Sequence, residues 1–137
     1  MRGKSLIPAF ACLFLTTACD ENTPVGPSVS LNQEFTLAPG QTAAVQDTSL
    51  RVQFLRVSGD SRCPADVLCI QGGDALVHVR ISNGGSSEYE FHTGDESRAV
   101  ITHSGLNISL VNLQPYPFSS RTIPPDEYRA IMRVVRP

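Results

Sequence analysis

ALVHVRISNGGSSEYEFH, residues 75–92, is the stretch that decides the fold. Apolar side chains stand at every second position from Ala75 to Ile81, and this period of two predicts a strand with one buried face. The following Asn-Gly-Gly-Ser segment tolerates the positive φ of tight turns, so the chain is expected to reverse there. Tyr89 and Phe91 then share one face of the returning strand. The stretch therefore predicts a β-hairpin.

Strand patterns continue on both sides of the hairpin, and no segment shows a helical period. Pro, Gly, Asn and Asp separate the segments at roughly the spacing typical of all-β domains. The sequence predicts an all-β fold, an antiparallel two-sheet sandwich of the immunoglobulin-like kind, with a small β-barrel as the alternative. The last strand ends close to the C-terminus and is expected at the edge of a sheet. Further strands are predicted at 29–37, 41–46, 50–57, 98–102, 106–113 and 128–135.

The N-terminus has the pattern of a secretory signal. Arg2 and Lys4 precede an apolar run over residues 6–15. A bilayer-spanning helix needs about 20 apolar residues, and this run is much shorter. Residues 1–18 are therefore predicted to be a cleaved signal peptide.

The end of this run, Leu15-Thr16-Thr17-Ala18-Cys19, resembles the lipobox of bacterial lipoproteins, in which a small residue precedes a lipid-modified cysteine. Thr16 stands where that pattern usually has Leu. The resemblance implies lipidation of Cys19 and anchoring of the protein to a membrane. Cleavage by an ordinary signal peptidase at the same bond, which leaves Cys19 as a free thiol, is the alternative.

The four cysteines indicate the compartment. If Cys12 leaves with the signal peptide and Cys19 carries lipid, Cys63 and Cys69 remain and can pair. A disulfide is typical of oxidising compartments. The protein is therefore expected in the cell envelope, facing the periplasm or the exterior. Residues 19–28, which are polar and contain Pro and Gly, are predicted to be a flexible tether, and residues 29–137 a single domain.

The charge of the predicted mature chain argues against polyanionic partners. Arg2 and Lys4 are two of the eleven basic residues, so nine remain, all of them arginine, against thirteen acidic residues. Nucleic-acid binding needs clustered positive charge, as does attachment to anionic lipids through a basic patch. Neither partner is expected, and the only membrane contact predicted here is through the N-terminal lipid.

The segment DSRCPADVLCIQGG, residues 60–73, joins two predicted strands. A disulfide between Cys63 and Cys69 would close a seven-residue loop. The segment resembles a motif of small secreted or lipid-anchored bacterial proteins of unassigned function, in which Arg-Cys-Pro is followed by a second cysteine and a glycine. Gln71 stands where an aromatic residue is common in that motif. The resemblance implies no particular activity.

A metal-binding or redox function is the competing hypothesis for this segment. It would use Cys63 and Cys69 with the histidines, of which His78 and His92 are expected to lie opposite each other if the hairpin pairs residues whose numbers add up to about 170. The paired spacings of structural zinc sites are absent from the sequence. Catalytic motifs such as Gly-x-Ser-x-Gly and His-Glu-x-x-His are absent too, so neither an enzyme nor a bound cofactor is expected.

A second candidate surface is the proline-rich segment 114–125. Tyr116, Phe118 and Arg121 are residue types that often anchor interfaces, and loops on a rigid sandwich are common binding elements. The alternative is that the two rings fold back and cap the core. The sequence as a whole predicts a lipid-anchored envelope protein with a non-catalytic binding or accessory role, whose ligand it does not identify.

Overall fold

The computed structural model describes residues 25–137, so the predicted signal peptide and Cys19 lie outside the described residues. Within this range the chain forms nine strands and two short 3₁₀ turns, at Glu96–Arg98 and Pro125–Glu127, and it contains no α-helix. Neither turn is long or apolar enough to cross a bilayer. The strands are β1 (Val25–Val29), β2 (Glu34–Leu37), β3 (Thr42–Val45), β4 (Arg51–Asp60), β5 (Ala75–Ser82), β6 (Ser86–His92), β7 (Val100–His103), β8 (Leu106–Gln114) and β9 (Arg129–Val135).

The strands form two sheets that pack on each other. One has the order β1-β3-β4-β5-β6 and the other the order β2-β9-β8-β7. Neighbouring strands are antiparallel except β1 and β3, which are parallel. Neither sheet closes on itself, so the predicted two-sheet sandwich is confirmed and the barrel alternative is wrong.

The alternating apolar residues form the core, as the sequence pattern predicts. Val77, Val79 and Ile81 of β5 are completely buried, and the residues between them are more exposed. They face Ile108 of β8 and Met132 of β9 within one apolar cluster that draws on both sheets. The predicted hairpin is present as β5 and β6, with Gly84 at a φ of 74° in its turn.

One strand prediction and one tether boundary near the N-terminus need correction. The segment 29–37, predicted as one strand, contains the end of β1 and all of β2, which lie in different sheets. Asn32, at a φ of 64°, lies in the turn between them. Residues 25–28, assigned to the tether by their composition, lie in β1 and pair with β3. Polar residues and proline are tolerated there because β1 is an edge strand.

The position of the last strand also differs from the prediction. β9 lies between β2 and β8 and pairs with both, so it is an interior strand of its sheet. The order of strands in the sequence does not fix their order in a sheet. Here β2, from the N-terminal part of the described chain, pairs with β9 and forms the edge of the four-stranded sheet. The C-terminal strand is therefore central to the four-stranded sheet.

The two longest connections lie at the same end of the sandwich. Residues 61–74 connect β4 to β5, and residues 115–128 connect β8 to β9. Arg62 in the first connection donates a hydrogen bond of 2.7 Å to the carbonyl of Leu113 at the end of β8. We call this end of the sandwich the loop end, the connection 61–74 the cystine loop, and the connection 115–128 the proline loop.

Candidate functional site

Hydrogen bonds join the two ends of the cystine loop, and a disulfide crosslinks its middle. The base is held by hydrogen bonds from the Ser61 amide to the Asp74 carbonyl, 2.7 Å, and from the Asp74 amide to the Ser61 hydroxyl, 3.1 Å. Further out, Cys63 and Cys69 form a disulfide, which confirms the predicted pairing. By the chain-entropy relation, a seven-residue loop of this kind stabilises the fold by about 2.4 kcal/mol.

Arg62 links the cystine loop to the proline loop. The residue is only 8% exposed, and its Nε and Nη2 donate to the two carboxylate oxygens of Asp60 at 2.8 and 2.6 Å. Nη1 donates to the carbonyl of Leu113, and Nη2 also donates to the carbonyl of Pro115 at 3.0 Å. The guanidinium lies 5.5 Å from the centre of the Tyr116 ring. Because Nε, Nη1 and Nη2 all donate hydrogen bonds within the chain, Arg62 connects the two loops and is not expected to bind a ligand.

Asp60 is the partner on which this arrangement depends. Burial alone would raise the pKa of Asp60, but the hydrogen bonds and charge of Arg62 outweigh burial, so the pKa lies below its ordinary value of 3.8. The Tyr128 hydroxyl also donates to Asp60, at 3.0 Å. Desolvation and this hydrogen bond raise the pKa of Tyr128 to about 12. The buried ion pair is therefore stable as carboxylate and guanidinium, with a neutral phenol beside it.

Direct contacts between the two loops complete the connection. The Ala65 amide donates to the Pro117 carbonyl at 2.9 Å. The Ser119 amide and hydroxyl donate to the carboxylate of Asp66 at 2.9 and 2.5 Å, which lowers the pKa of Asp66. The disulfide, Arg62 and these bonds make the cystine loop and the proline loop a single structural unit.

The three residues predicted for the proline loop lie together on this unit. Tyr116 and Phe118 are 50% and 53% exposed, and with Arg121 they line a groove of about 290 Å³. Arg121 is paired with Glu127. The core at this end is covered by other residues of the same loop, buried Tyr128 and partly buried Ile123. The two rings predicted as either a cap or a binding element are thus half exposed.

The cystine loop presents apolar side chains that the sequence analysis did not single out. Leu68 and Ile70 are fully exposed, at 102% and 104%, and Val67 is also exposed. With Tyr116 and Phe118 they form what we call the apical surface. These are five of the seven large exposed apolar residues in the described chain, so exposed apolar area is concentrated at the loop end. The sequence contained a signal for this surface, namely three large aliphatic residues, Val67, Leu68 and Ile70, in or next to the ring closed by Cys63 and Cys69.

A cleft of about 410 Å³ opens beside the cystine loop. Its walls include Arg62, Cys63, Gly73, His92 and Tyr116, with Asn112 from β8. His92 is buried, and its Nδ1 lies 2.5 Å from Asp74 and its Nε2 3.1 Å from Glu90. Both ring nitrogens of this histidine are therefore occupied by carboxylates.

The predicted cross-strand pair of histidines is not formed. His78 lies opposite Glu90, and His92 lies opposite Leu76, because the hairpin register is offset from the expected one. The Glu90 carboxylate lies between the two rings, 3.5 Å from His78 and 3.1 Å from His92. Among residues 25–137 no group of three or more His, Cys, Asp or Glu side chains is arranged to hold a metal ion. Cys63 and His92 line the same cleft, but Cys63 is in the disulfide and carboxylates lie against both ring nitrogens of His92.

The fold and site define a small β-sandwich with a stapled, apolar-tipped loop end. A scan of protein-family models and searches of characterised proteins and solved structures find no match to this chain.

Proposed function

We propose that this protein is a lipid-anchored module of the cell envelope that binds its partner through the apical surface and performs no catalysis. One observation carries the proposal. Five large apolar side chains are exposed at the loop end on two connections that are locked together. Contiguous exposed apolar area is characteristic of interaction surfaces. A rigid loop loses little conformational entropy on binding, so the locking favours affinity.

The anchoring half of the proposal rests on the sequence before Val25. The lipobox-like residues 15–19 follow a short apolar run, and the Cys63–Cys69 disulfide is in keeping with an oxidising compartment. Two or more acyl chains are needed for stable attachment, and a lipoprotein-type cysteine can carry several.

The intact mass of the protein extracted from its native membrane, before and after reduction and thiol alkylation, tests this half. We expect a lipid-sized addition on Cys19, and alkylation of Cys63 and Cys69 only after reduction. An unmodified Cys19 would refute the anchor. Alkylation of Cys63 and Cys69 without reduction would instead favour the metal-binding or redox hypothesis.

The binding half is tested by photo-crosslinking in intact cells. A photoreactive amino acid is placed at Leu68 or at Phe118, and at Val100 as the matched control, since Val100 is an exposed apolar residue that belongs to β7 and to neither loop. We expect crosslinks to lipid or protein from the two apical positions and few from Val100. Equal labelling from all three positions would show that the apical surface is not a binding surface.

A further inference from the structure

We infer that the partner of the apical surface is the lipid bilayer itself, into whose interface Leu68 and Ile70 insert. This inference rests on the proposed function, because it uses the anchor at Cys19. It assigns to the cystine loop a role in orienting the domain on the membrane that holds it.

β1 runs away from the loop end, so its first residue lies nearer to that end. Gln53 of β4 pairs with Thr42 of β3, which in turn pairs with Val25 of β1. β4 runs toward the loop end, and β3 and β1 run away from it. Val25 is therefore the end of β1 that lies nearer to the loop end, and the chain enters the domain from that side.

The chain between the predicted anchor and the domain is short. Cys19 precedes Val25 by six residues, which span at most about 20 Å when fully extended. From Gln53, level with Val25, β4 continues to Asp60 opposite the five-residue span of β5 from Arg80 to Ala75, a rise of about 17 Å. A bilayer that holds Cys19 therefore lies within about 20 Å of Val25, and the cystine loop continues past Asp60 on the side where the chain enters the domain.

The side chains exposed at the loop end are of types that insert into membrane interfaces. Leu68 and Ile70 are fully exposed on the cystine loop, which contains the disulfide and which Arg62 attaches to the end of β8. Tyr116 and Phe118 lie on the adjoining loop. Tyrosine is enriched at the headgroup level of membranes, and phenylalanine is common on the apolar face of interfacial segments. Apolar groups of this kind insert about 5–10 Å into the interface.

The charges of the two loops decide which lipids are required. Arg62 is paired with Asp60, and Arg121 with Glu127. No basic residue on either of these two described loops is left without an acidic partner, so attraction to anionic lipids contributes little. We therefore expect insertion into zwitterionic phosphatidylcholine, with little dependence on salt.

The absence of tryptophan from the sequence allows a direct test. Single substitutions Leu68→Trp, Ile70→Trp and, as the control, Val100→Trp are made in the full mature chain, which is reconstituted in vesicles of phosphatidylcholine with and without brominated acyl chains. Val100 pairs with Ser109, which lies opposite Arg133 of β9, four residues from Arg129 at the loop end, or about 13 Å. We expect blue-shifted emission and strong bromolipid quenching for the two loop variants only. Quenching no stronger than that of Val100→Trp would overturn the inference.

A second measurement separates the bilayer from other partners. In the mature chain carrying Cys19→Ser, which has no lipid, replacing both Leu68 and Ile70 by Ser is expected to lower the partition into phosphatidylcholine vesicles about 100-fold, about tenfold per side chain. An unchanged partition would overturn the inference. Crosslinking of Leu68 to an envelope protein or to a second copy of this chain, without bromolipid quenching, would also overturn it and would leave the proposed binding function standing. An unmodified Cys19 with quenching retained would refute the anchor alone.

Discussion

At the scale of single residues, Arg62 determines the architecture of the site. It is a buried charge that bonds Asp60, Leu113 and Pro115, so it connects the end of β4 to the end of β8. The motif Arg62-Cys63-Pro64 predicts a role for Cys63, but it does not indicate that Arg62 is buried. Charged side chains are usually exposed, and Arg62 can be buried only because the Asp60 carboxylate and the carbonyls of Leu113 and Pro115 accept its hydrogen bonds.

Replacement of Arg62 by Met is expected to lower the free energy of unfolding by about 3–5 kcal/mol, because it leaves Asp60 buried without its partner. Urea denaturation measures the change. Arg56→Met is the matched control, since Arg56 is exposed and its pair with Glu88 contributes less than about 1 kcal/mol. Equal losses in the two variants would show that the buried pair is not a main stabilising contact.

The pKa of Asp60 gives a prediction for acid stability. Because folding lowers this pKa, the carboxylate contributes stability that is present above its unfolded pKa and is lost as the pH falls through the lower folded value. The loss of stability on acidification below about pH 4 should therefore be shallower in Asp60→Asn than in the parent chain. Urea midpoints measured over this range check the prediction, and parallel curves for the two proteins would contradict it.

At the scale of elements, the cystine loop combines a covalent staple with a close backbone approach. Gly73 lies so near the Ser61 carbonyl that a β-carbon at Gly73 would be 1.4 Å from its oxygen. The sequence shows Gly72-Gly73 as a pair suited to a turn. The structure distinguishes them, since nothing lies within 4 Å of a β-carbon at Gly72.

Gly73→Ala is therefore expected to force the base of the loop apart and to lower the melting temperature, whereas Gly72→Ala should change it little. The added methyl group would break the hydrogen bonds between Ser61 and Asp74 that close the base. Differential scanning calorimetry of the two variants distinguishes the positions. Equal melting temperatures would mean that the backbone of the loop adapts freely.

Removal of the disulfide tests the staple separately. The double variant Cys63→Ser with Cys69→Ser is expected to lose about 2.4 kcal/mol of unfolding free energy. It should remain folded, because Arg62 and the hydrogen bond of Ala65 with Pro117 still hold the two loops together. Urea denaturation measures the loss, and a variant that is unfolded in buffer would show that these noncovalent interactions do not suffice.

At the scale of the whole molecule, the sandwich depends on a strand from each end of the chain. β2 pairs only with β9, and β9 pairs with both β2 and β8. Truncation after residue 128 removes β9 and is expected to abolish cooperative thermal unfolding. Truncation after Val135 leaves the strand intact and is expected to have little effect. A cooperative transition in the shorter chain would contradict the central position of β9.

The sequence by itself determined the all-β class, the β5–β6 hairpin, the core face of β5 and the pairing of Cys63 with Cys69. These follow from a period of two, turn residues and cysteine count, which are local properties. Only the tertiary structure decided the sheet order, the central place of β9, the split of residues 29–37 between two sheets and the offset that separates His78 from His92. It also decided the burial of Arg62 and the gathering of Leu68, Ile70, Tyr116 and Phe118 at one end. The hairpin offset is set by the conformation of its turn. The other features depend on which distant segments meet, and pairing across more than forty residues leaves no periodic trace in the chain.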